Sequence, residues 1–300
     1  MKINAYAKIN LFLDVLGRRP NGYHDVSMIM QSVGLYDTLD ISLAPDNRID
    51  ITSDNASLPC DESNIIYKTV VRLREHSNRD FGAIIRLNKR IPMAAGMAGG
   101  SADAAATLIG LNKLLSLGLT TEELCDIGVT IGADVPFCIV GGTYRCEGIG
   151  EVMTKIDTPE SKTGADLATG TCLVIAKPDI DISTATVYRQ IDSEGEHIHP
   201  PIDRMISAIT DNDVSNVSAA LFNRLEAVTV KDNPIIQQMK DILIREGAEG
   251  AMMSGSGPTV FGLFTDRDTA EAALAVLHEE VAFAAGSVTQ MMDHGIEIID

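Results

Sequence analysis

No glycine-lysine-serine or glycine-lysine-threonine triplet occurs in this chain, which excludes the common P-loop whose lysine reaches the terminal phosphates of a nucleotide. The dinucleotide-binding order Gly-x-Gly-x-x-Gly is missing as well. The glycines at 96, 99 and 100 fall otherwise, which argues against a Rossmann dehydrogenase. No uncharged run is long enough to span a bilayer. The apolar N-terminus is interrupted by Lys8, Asn10 and Asp14 without a small-residue cleavage site, so no signal peptide is expected. Five cysteines, at 60, 125, 138, 146 and 172, form no Cys-x-x-Cys pair. Their odd number and apolar settings, as beside Phe137 and Ile139, predict reduced core thiols and a cytoplasmic protein. Basic residues are the scarce charge: 24 Lys and Arg against 42 Asp and Glu leave a net charge of −18, so neither nucleic acid nor an anionic membrane is expected as a partner. An anionic substrate must then be held by backbone N–H groups, a few lysines or arginines and a divalent cation. Internal repeats and low-complexity tracts are also missing.

What is present is a nearly side-chain-free loop running into a helix, PMAAGMAGGSADAAATL from Pro92 to Leu108. Ala94, Ala95, Gly96, Ala98, Gly99 and Gly100 let a ligand approach the backbone, and Ser101 is suited to cap the helix that follows. Ala104, Leu108, Leu111 and Leu115 recur at helical spacing, so the helix has a core stripe and its free N–H groups point back into the loop. A bare loop feeding a helix N-terminus is an anion site, with phosphate its usual guest. A tight loop with small residues chosen for packing is the plainer alternative.

With 300 residues of which 45% are hydrophobic, two compact domains are the better expectation than one. From Lys2 to Leu16 the odd positions are apolar while Lys2, Asn4, Lys8, Asn10 and Asp14 take even ones, which predicts a half-buried strand with Lys8 and Asn10 side by side on its open face. Pro-Asn-Gly then places Tyr23 and His24 just beyond a turn. Strands are predicted through Leu39, Ile41 and Leu43 and over 83–87, and a helix from about Ser63 to His76. Thr120 with Glu122 and Glu123 opens another helix. Gly132 and Pro136 introduce a strand-like run that ends at Gly141 and Gly142. The polar stretch Asp157 to Gly170 fits a linker, giving a first domain over 1–158 and a second over 171–300. The second half opens with the strand CLVIAKP, continues through helices near 183–191, 202–209, 214–221 and 235–246, and reaches a second glycine-rich loop in MMSGSGPTVFGLF. A helix over 267–280 and a strand near Gln290 complete an α+β pattern. The histidines of HIH at 197–199, beside Pro200 and Pro201, show no third ligand in the sequence and are expected in a surface loop.

Lys8 on its strand, the loop PMAAGMAGGSADAAATL and the late loop SGSGPTVFGLF stand in an order that resembles the galactokinase, homoserine kinase, mevalonate kinase and phosphomevalonate kinase (GHMP) superfamily of small-molecule kinases. AYAKINLFLDVLGRRPNGYHDV and IGADVPFCIVGG select the branch that phosphorylates the 2-hydroxyl of a cytidine diphosphate-linked polyol in isoprenoid precursor synthesis. The resemblance implies a two-domain GHMP kinase fold: a nucleotide-binding domain like ribosomal protein S5 domain 2, then a C-terminal α/β-sandwich domain, with the active site between them. It implies ATP and Mg2+ as cofactors, and it leaves the metal ligands and the choice between monomer and homodimer open.

Carried onto this sequence, the resemblance makes Asp134 the base that takes the hydroxyl proton and Lys8 its electrostatic partner. By residue type alone, Asp134 could be a turn aspartate satisfied by backbone and Lys8 a solvated strand lysine. Asn10 would hydrogen-bond the substrate. Tyr23 and His24 match the cytosine site, and Tyr188 a second aromatic wall, although a lone tyrosine on a helix also serves packing. The ATP phosphates would be wrapped by Pro92, Met93, Ala94, Ala95, Gly96, Met97, Ala98, Gly99, Gly100, Ser101 and Ala102, with Asn64 and Lys89 beside the adenine and Gly255 and Gly257 closing the site. Asp103, expected in the first turn, suits the helix dipole there but opposes a phosphate unless it faces away or helps to hold magnesium.

The chain departs from the resemblance at Ala94, Ala95 and Ala98, where the usual loop is richer in glycine. Any of these at positive φ would be strained by roughly 1 kcal/mol or more. An insertion-like segment over 161–170 is a second departure. Homoserine or a mevalonate derivative as substrate is disfavoured by the Tyr23-His24 pair, because neither has a base to stack. A ligand sensor without turnover is disfavoured by the presence of both Lys8 and Asp134.

Overall fold

The computed structural model describes residues 1–157, 171–195 and 197–300. The expected linker and insertion therefore lie outside the described residues, apart from Asp157. Among the described residues the first half contains β1 (Lys2–Arg18), β2 (His24–Ala44), β3 (Ile49–Ser53), α1 (Ile65–Ser77), β4 (Gly82–Asn88), α2 (Gly99–Leu114), α3 (Thr121–Val129), α4 (Val135–Val140), β5 (Thr143–Gly148) and β6 (Val152–Lys155). The second half contains β7 (Cys172–Pro178), α5 (Thr184–Ser193), α6 (Asp203–Thr210), α7 (Val214–Ala219), β8 (Phe222–Asn223), α8 (Glu226–Asp232), α9 (Pro234–Arg245), β9 (Gly250–Met253), β10 (Val260–Phe264), α10 (Arg267–Glu280), β11 (Phe283–Met292) and β12 (Ile296–Ile298).

β1 and β2 form a long antiparallel hairpin, and the Pro20-Asn21-Gly22 turn works as its composition requires. Gly22 takes φ 89° and Asn21 Oδ1 accepts the Tyr23 N–H. β2 is the hub, pairing with β1, β4, β5 and the end of β11. The pairing order β12-β1-β2-β11-β7-β10-β9 makes one sheet path through both halves. Bulges near Tyr6, Asn10 and Val15 bend β1 along the site.

The alternation along β1 holds, but the strand is not half-buried. Asn4, Lys8, Asn10 and Asp14 on its polar face are all less than 7% exposed. That face looks into the space between the two halves rather than into solvent: β8 pairs beside Phe12 and Leu13, and the Lys8 N–H donates to Met97 O.

Three further local expectations change. α2 starts at Gly99 after Ala98, so Ser101 lies inside the first turn and is not the cap, and no side chain caps this helix. The apolar run after Gly132 is the short helix α4, because Pro136 at its start has no N–H to lose and its fixed φ suits a first turn. Cys60 is exposed, unlike buried Cys138 and Cys146, although all five cysteines are free. The capping box at Thr120 and Glu123, strand β7 and helix α10 match their sequence-based bounds closely.

Candidate active site

A cavity of ≈ 980 Å³ opens between the two halves. Its wall contains Lys8, Asn10, Tyr23, His24, Asn64, Lys89, every loop residue from Pro92 to Ser101, Asp134, Tyr188 and Gly255. Thus the sequence-based site residues meet in one place, except Ala102 and Gly257. Ala102 is fully buried with its N–H bonded to Ala98 O, and Gly257 donates back to Ser254 O within its own turn.

Lys8 and Asn10, two residues apart on β1, bond directly: Lys8 Nζ donates to Asn10 Oδ1 at 2.9 Å. The same ammonium donates to Gly96 O at 3.1 Å and stands 3.7 Å from Asp134 Oδ2. Lys8 is nearly buried, while the Asp134 carboxylate is a third exposed to the cavity. Asp134 occupies the position before α4, yet its side chain makes no capping bond. Among the described residues the Asp134 carboxylate therefore lacks the backbone bonds that a satisfied turn aspartate would have.

The two glycine-rich loops meet backbone to backbone. Ser254 Oγ donates to Gly96 O, and Asn223 Nδ2 donates to both Met253 O and Gly255 O at 2.8 Å. A Cβ on Gly96, at φ 73°, would stand 2.2 Å from Ser254 O, so only glycine fits there. Ala94 and Ala98 adopt φ of 49° and 56°, the left-handed region that strains alanine, while Ala95 does not. The first-turn N–H groups of α2 have no side-chain acceptor, and the Ser101 hydroxyl makes no hydrogen bond among the described residues. These are unmet donors facing a cavity, the arrangement that binds a polyphosphate.

Lys89 and Asn64 hold the wall from behind. Lys89 Nζ is buried between Asp37 Oδ2 and Asp103 Oδ2, at 2.5 and 2.7 Å. Asp37 Oδ1 also accepts the N–H groups of Arg90 and Ile91, so its charge is well answered. Among the described residues Asp103 bonds Lys89 through Oδ2, and its Oδ1 has no hydrogen-bond partner. Burial pushes its carboxyl up to about 8, with nearby Asp37 adding to the rise against the opposing pull of Lys89. Asp103 lies past the first turn of α2 and not within it as expected, because the helix begins at Gly99. Asn64 Oδ1 caps α1 at Ile66 N, and its amide donates to Pro59 O.

At the other arm, His24 and Tyr188 stack on each other, with centroids 4.6 Å apart and planes at 28°. They form one wall rather than two, and Tyr23 is 57% exposed at the mouth. Burial pushes the Tyr188 phenol up to about 12. His24 Nε2 is held by Asp192 Oδ1 at 2.7 Å, and Arg18 lies 3.6 Å from the other oxygen of Asp192. Thr184 and Ser256 join through their hydroxyls at 2.8 Å, linking α5 to the late loop. Asp37, Asp192 and Thr184 carry no motif in the sequence and become visible only when distant segments pack, while Ser256 sits inside the late glycine-rich loop without having been singled out.

Residues 64–142 match the GHMP kinases N terminal domain and residues 205–282 the GHMP kinases C terminal family. Over 270 residues the chain is 46% identical to the 4-diphosphocytidyl-2-C-methyl-D-erythritol kinase of Lachnospira eligens, covering 90% of each. The crystal structure of a 4-(cytidine 5'-diphospho)-2C-methyl-D-erythritol kinase superposes with a TM-score of 0.78 at 27% identity, covering 97% of this chain and 99% of that one. A homoserine kinase from Cytophaga hutchinsonii superposes equally well, with a TM-score of 0.79 at 19% identity and coverage of 100% and 97%. Shape alone therefore does not choose a substrate.

Proposed function

The chain belongs to the GHMP kinases, within them to the 4-diphosphocytidyl-2-C-methyl-D-erythritol kinase family, and we propose that it phosphorylates the 2-hydroxyl of that diphosphocytidyl polyol with ATP. The products are the 2-phosphate and ADP, in the non-mevalonate route to isoprenoid precursors. The observation that carries this reading is the Lys8–Asp134 pair at 3.7 Å, set between an uncapped helix N-terminus and the His24–Tyr188 stack in one cavity.

Asp134 takes the proton of the 2-hydroxyl as its oxygen bonds to the γ-phosphorus, and the bond from that phosphorus to the bridging oxygen of ADP breaks. Lys8, fixed by Asn10 and Gly96, faces the charge that spreads over the transferring group. The loop Pro92 to Ser101 and the first turn of α2 hold the phosphates through N–H groups. Asn64 and Lys89 act as positioning residues for the adenine side, and Gly255 supports the first loop. The unpartnered Ser101 hydroxyl fits magnesium better than Asp103, whose one bonded oxygen is committed to Lys89; bound with the nucleotide, the ion would neutralise phosphate charge.

The cytosine ring lies at Tyr23 and the His24–Tyr188 stack. Asp192 occupies Nε2 of His24, which leaves Nδ1 for the base edge. Arg18 and Arg189 line the same arm and are the cations available to the diphosphate. We place the ATP-binding domain at 1–158 and the substrate domain at 171–300, with β8 and β12 of the second reaching back to β1 of the first. The five free cysteines suit a cytoplasmic location.

The test is ADP release with magnesium and ATP, comparing the diphosphocytidyl polyol with homoserine and mevalonate. Turnover with the first alone supports the reading. Turnover with another alcohol alone discards the substrate, and no turnover with any of the three discards the kinase.

A further inference from the structure

The HIH segment lies in a surface loop, as its sequence suggests, with Ile198 88% and the His199 side chain 47% exposed, but its histidines are not isolated there. His197 and His199 lie between α5 and α6, and β1 brings Asp14 to them from 185 residues away from His199 along the chain. An extended segment turns residues i and i+2 to the same side, and a following proline favours extended backbone at His199. Both imidazoles face Asp14, while Ile198 between them is 88% exposed. His199 Nδ1 stands 2.7 Å from Asp14 Oδ2, and His197 Nε2 stands 3.6 Å from Oδ1. The two rings are 4.3 Å apart.

Two features of this cluster lack an answer from the protein itself. Asp14 is 2% exposed, and among the described residues its only ion-pair partners are the two histidines, with no lysine or arginine at hand. Its hydrogen bonds among the described residues are the one Val15 N–H donates to Oδ1 and the one between His199 Nδ1 and Oδ2, few for a buried carboxylate. Nε2 of His197 is buried without a hydrogen-bond partner.

A single cation among the three side chains resolves both of these. We propose that Asp14, His197 and His199 form a site for a divalent transition-metal ion of the zinc class, which ties the α5–α6 connection to β1. Two imidazole nitrogens and one carboxylate oxygen are the donor set such ions prefer, with a fourth position open to water. The donor atoms lie within 4.8 Å of one another. Bonds of about 2.0–2.2 Å in a tetrahedral site place ligand atoms about 3.3 Å apart, so closing on an ion needs shifts on the order of 1 Å. Magnesium prefers oxygen ligands, so this site is separate from the nucleotide's. Leu13 lines the active-site cavity and Asp14 does not. The bound ion pins the chain that follows Tyr188 and Asp192 against the strand that carries Lys8 and Asn10.

The test uses the full chain stripped with a chelator, without nucleotide. Cobalt(II) serves as the spectroscopic probe and zinc as its competitor. The expected result is one cobalt per chain with visible d–d absorption, no thiolate charge-transfer band, displacement by zinc, and a rise in thermal midpoint with either metal. Loss of a mere supporting partner commonly costs 10–100-fold in metal affinity, so His197→Ala and His199→Ala are each expected to weaken binding about tenfold or more. Cys60→Ser, which removes the exposed thiol, leaves binding unchanged. The thermal midpoint without metal reports whether each variant folds, and His199→Gln replaces any that does not. No binding of cobalt or zinc by the wild-type chain overturns the site, as does wild-type affinity in a folded His199 variant.

Discussion

Lys8 Nζ and Asp134 Oδ2 face each other at 3.7 Å, and neither group is neutralised by the element that carries it. Asp134 stands where an aspartate would normally cap a helix, but it caps none. Lys8 is aimed by two neutral acceptors, Asn10 Oδ1 and Gly96 O, which orient the ammonium without cancelling its charge. A fixed cation beside a free carboxylate is the minimum that phosphoryl transfer to an alcohol asks of side chains.

Lys8→Met keeps the length of the side chain and removes its charge. Turnover is expected to fall about 10²- to 10³-fold, the range for loss of one preorganised donor to developing charge. The KM for ATP rises as well, because Gly96 O keeps only the Ser254 hydroxyl as a side-chain donor. Steady-state kinetics with both substrates read this directly. Turnover within a few-fold of wild type would remove Lys8 from the chemistry.

The buried Asp103 carboxyl makes stability depend on pH. Its value moves from 3.8 to about 8 on folding, mainly through burial, so between those limits the folded chain keeps a proton that the unfolded chain has released. Stability from this group is therefore lost as pH rises from 3.8 to about 8, and the loss levels off above that. Asp103→Asn removes the titration. Urea denaturation across this window is expected to show the variant gaining on wild type as pH rises, and a difference that is flat in pH would contradict the burial argument.

Ala94 lies exposed in the phosphate loop at φ 49°. Left-handed backbone costs a non-glycine residue about 1–2 kcal/mol, and the greater freedom of glycine in the unfolded chain returns about 0.4–1 of that. Ala94→Gly is expected to stabilise the protein by about 0.5–1 kcal/mol. Thermal unfolding of the two proteins checks it, and a destabilised variant would refute the strain.

Asp192 orients His24 from α5, and among the described residues its other charged neighbour is Arg18. Asp192→Ala is expected to raise the KM for the diphosphocytidyl substrate about fivefold to tenfold, the equivalent of one hydrogen bond of about 1–1.4 kcal/mol, with kcat largely kept. An unchanged KM would sink the assignment of this arm to the base.

The parts of the site that were legible in the sequence are those encoded locally. Alternation along β1 put Lys8 and Asn10 on one face, small residues marked the loop before α2, and Pro-Asn-Gly placed His24 beyond a turn. What misled was context. The polar face of β1 reads as solvent-facing because no local pattern announces that the other half of the chain will cover it. Ser101 is a good cap by type, but the helix starts two residues earlier, after the strained Ala98. The run VPFCIV is too short for periodicity to separate strand from helix, and Pro136 reads as a breaker until its first-turn position is seen. Asp192 against His24, Asp37 against Lys89 and Asp14 against His199 are 168, 52 and 185 residues apart, beyond any motif.

The most direct test of the catalytic centre is Asp134→Asn, assayed in parallel for ATP binding and for turnover of the diphosphocytidyl polyol. Base catalysis by Asp134 predicts nucleotide affinity close to wild type with turnover lowered about 10²-fold or more. Turnover equal to wild type would contradict it and leave the Lys8–Asp134 pair without a catalytic role.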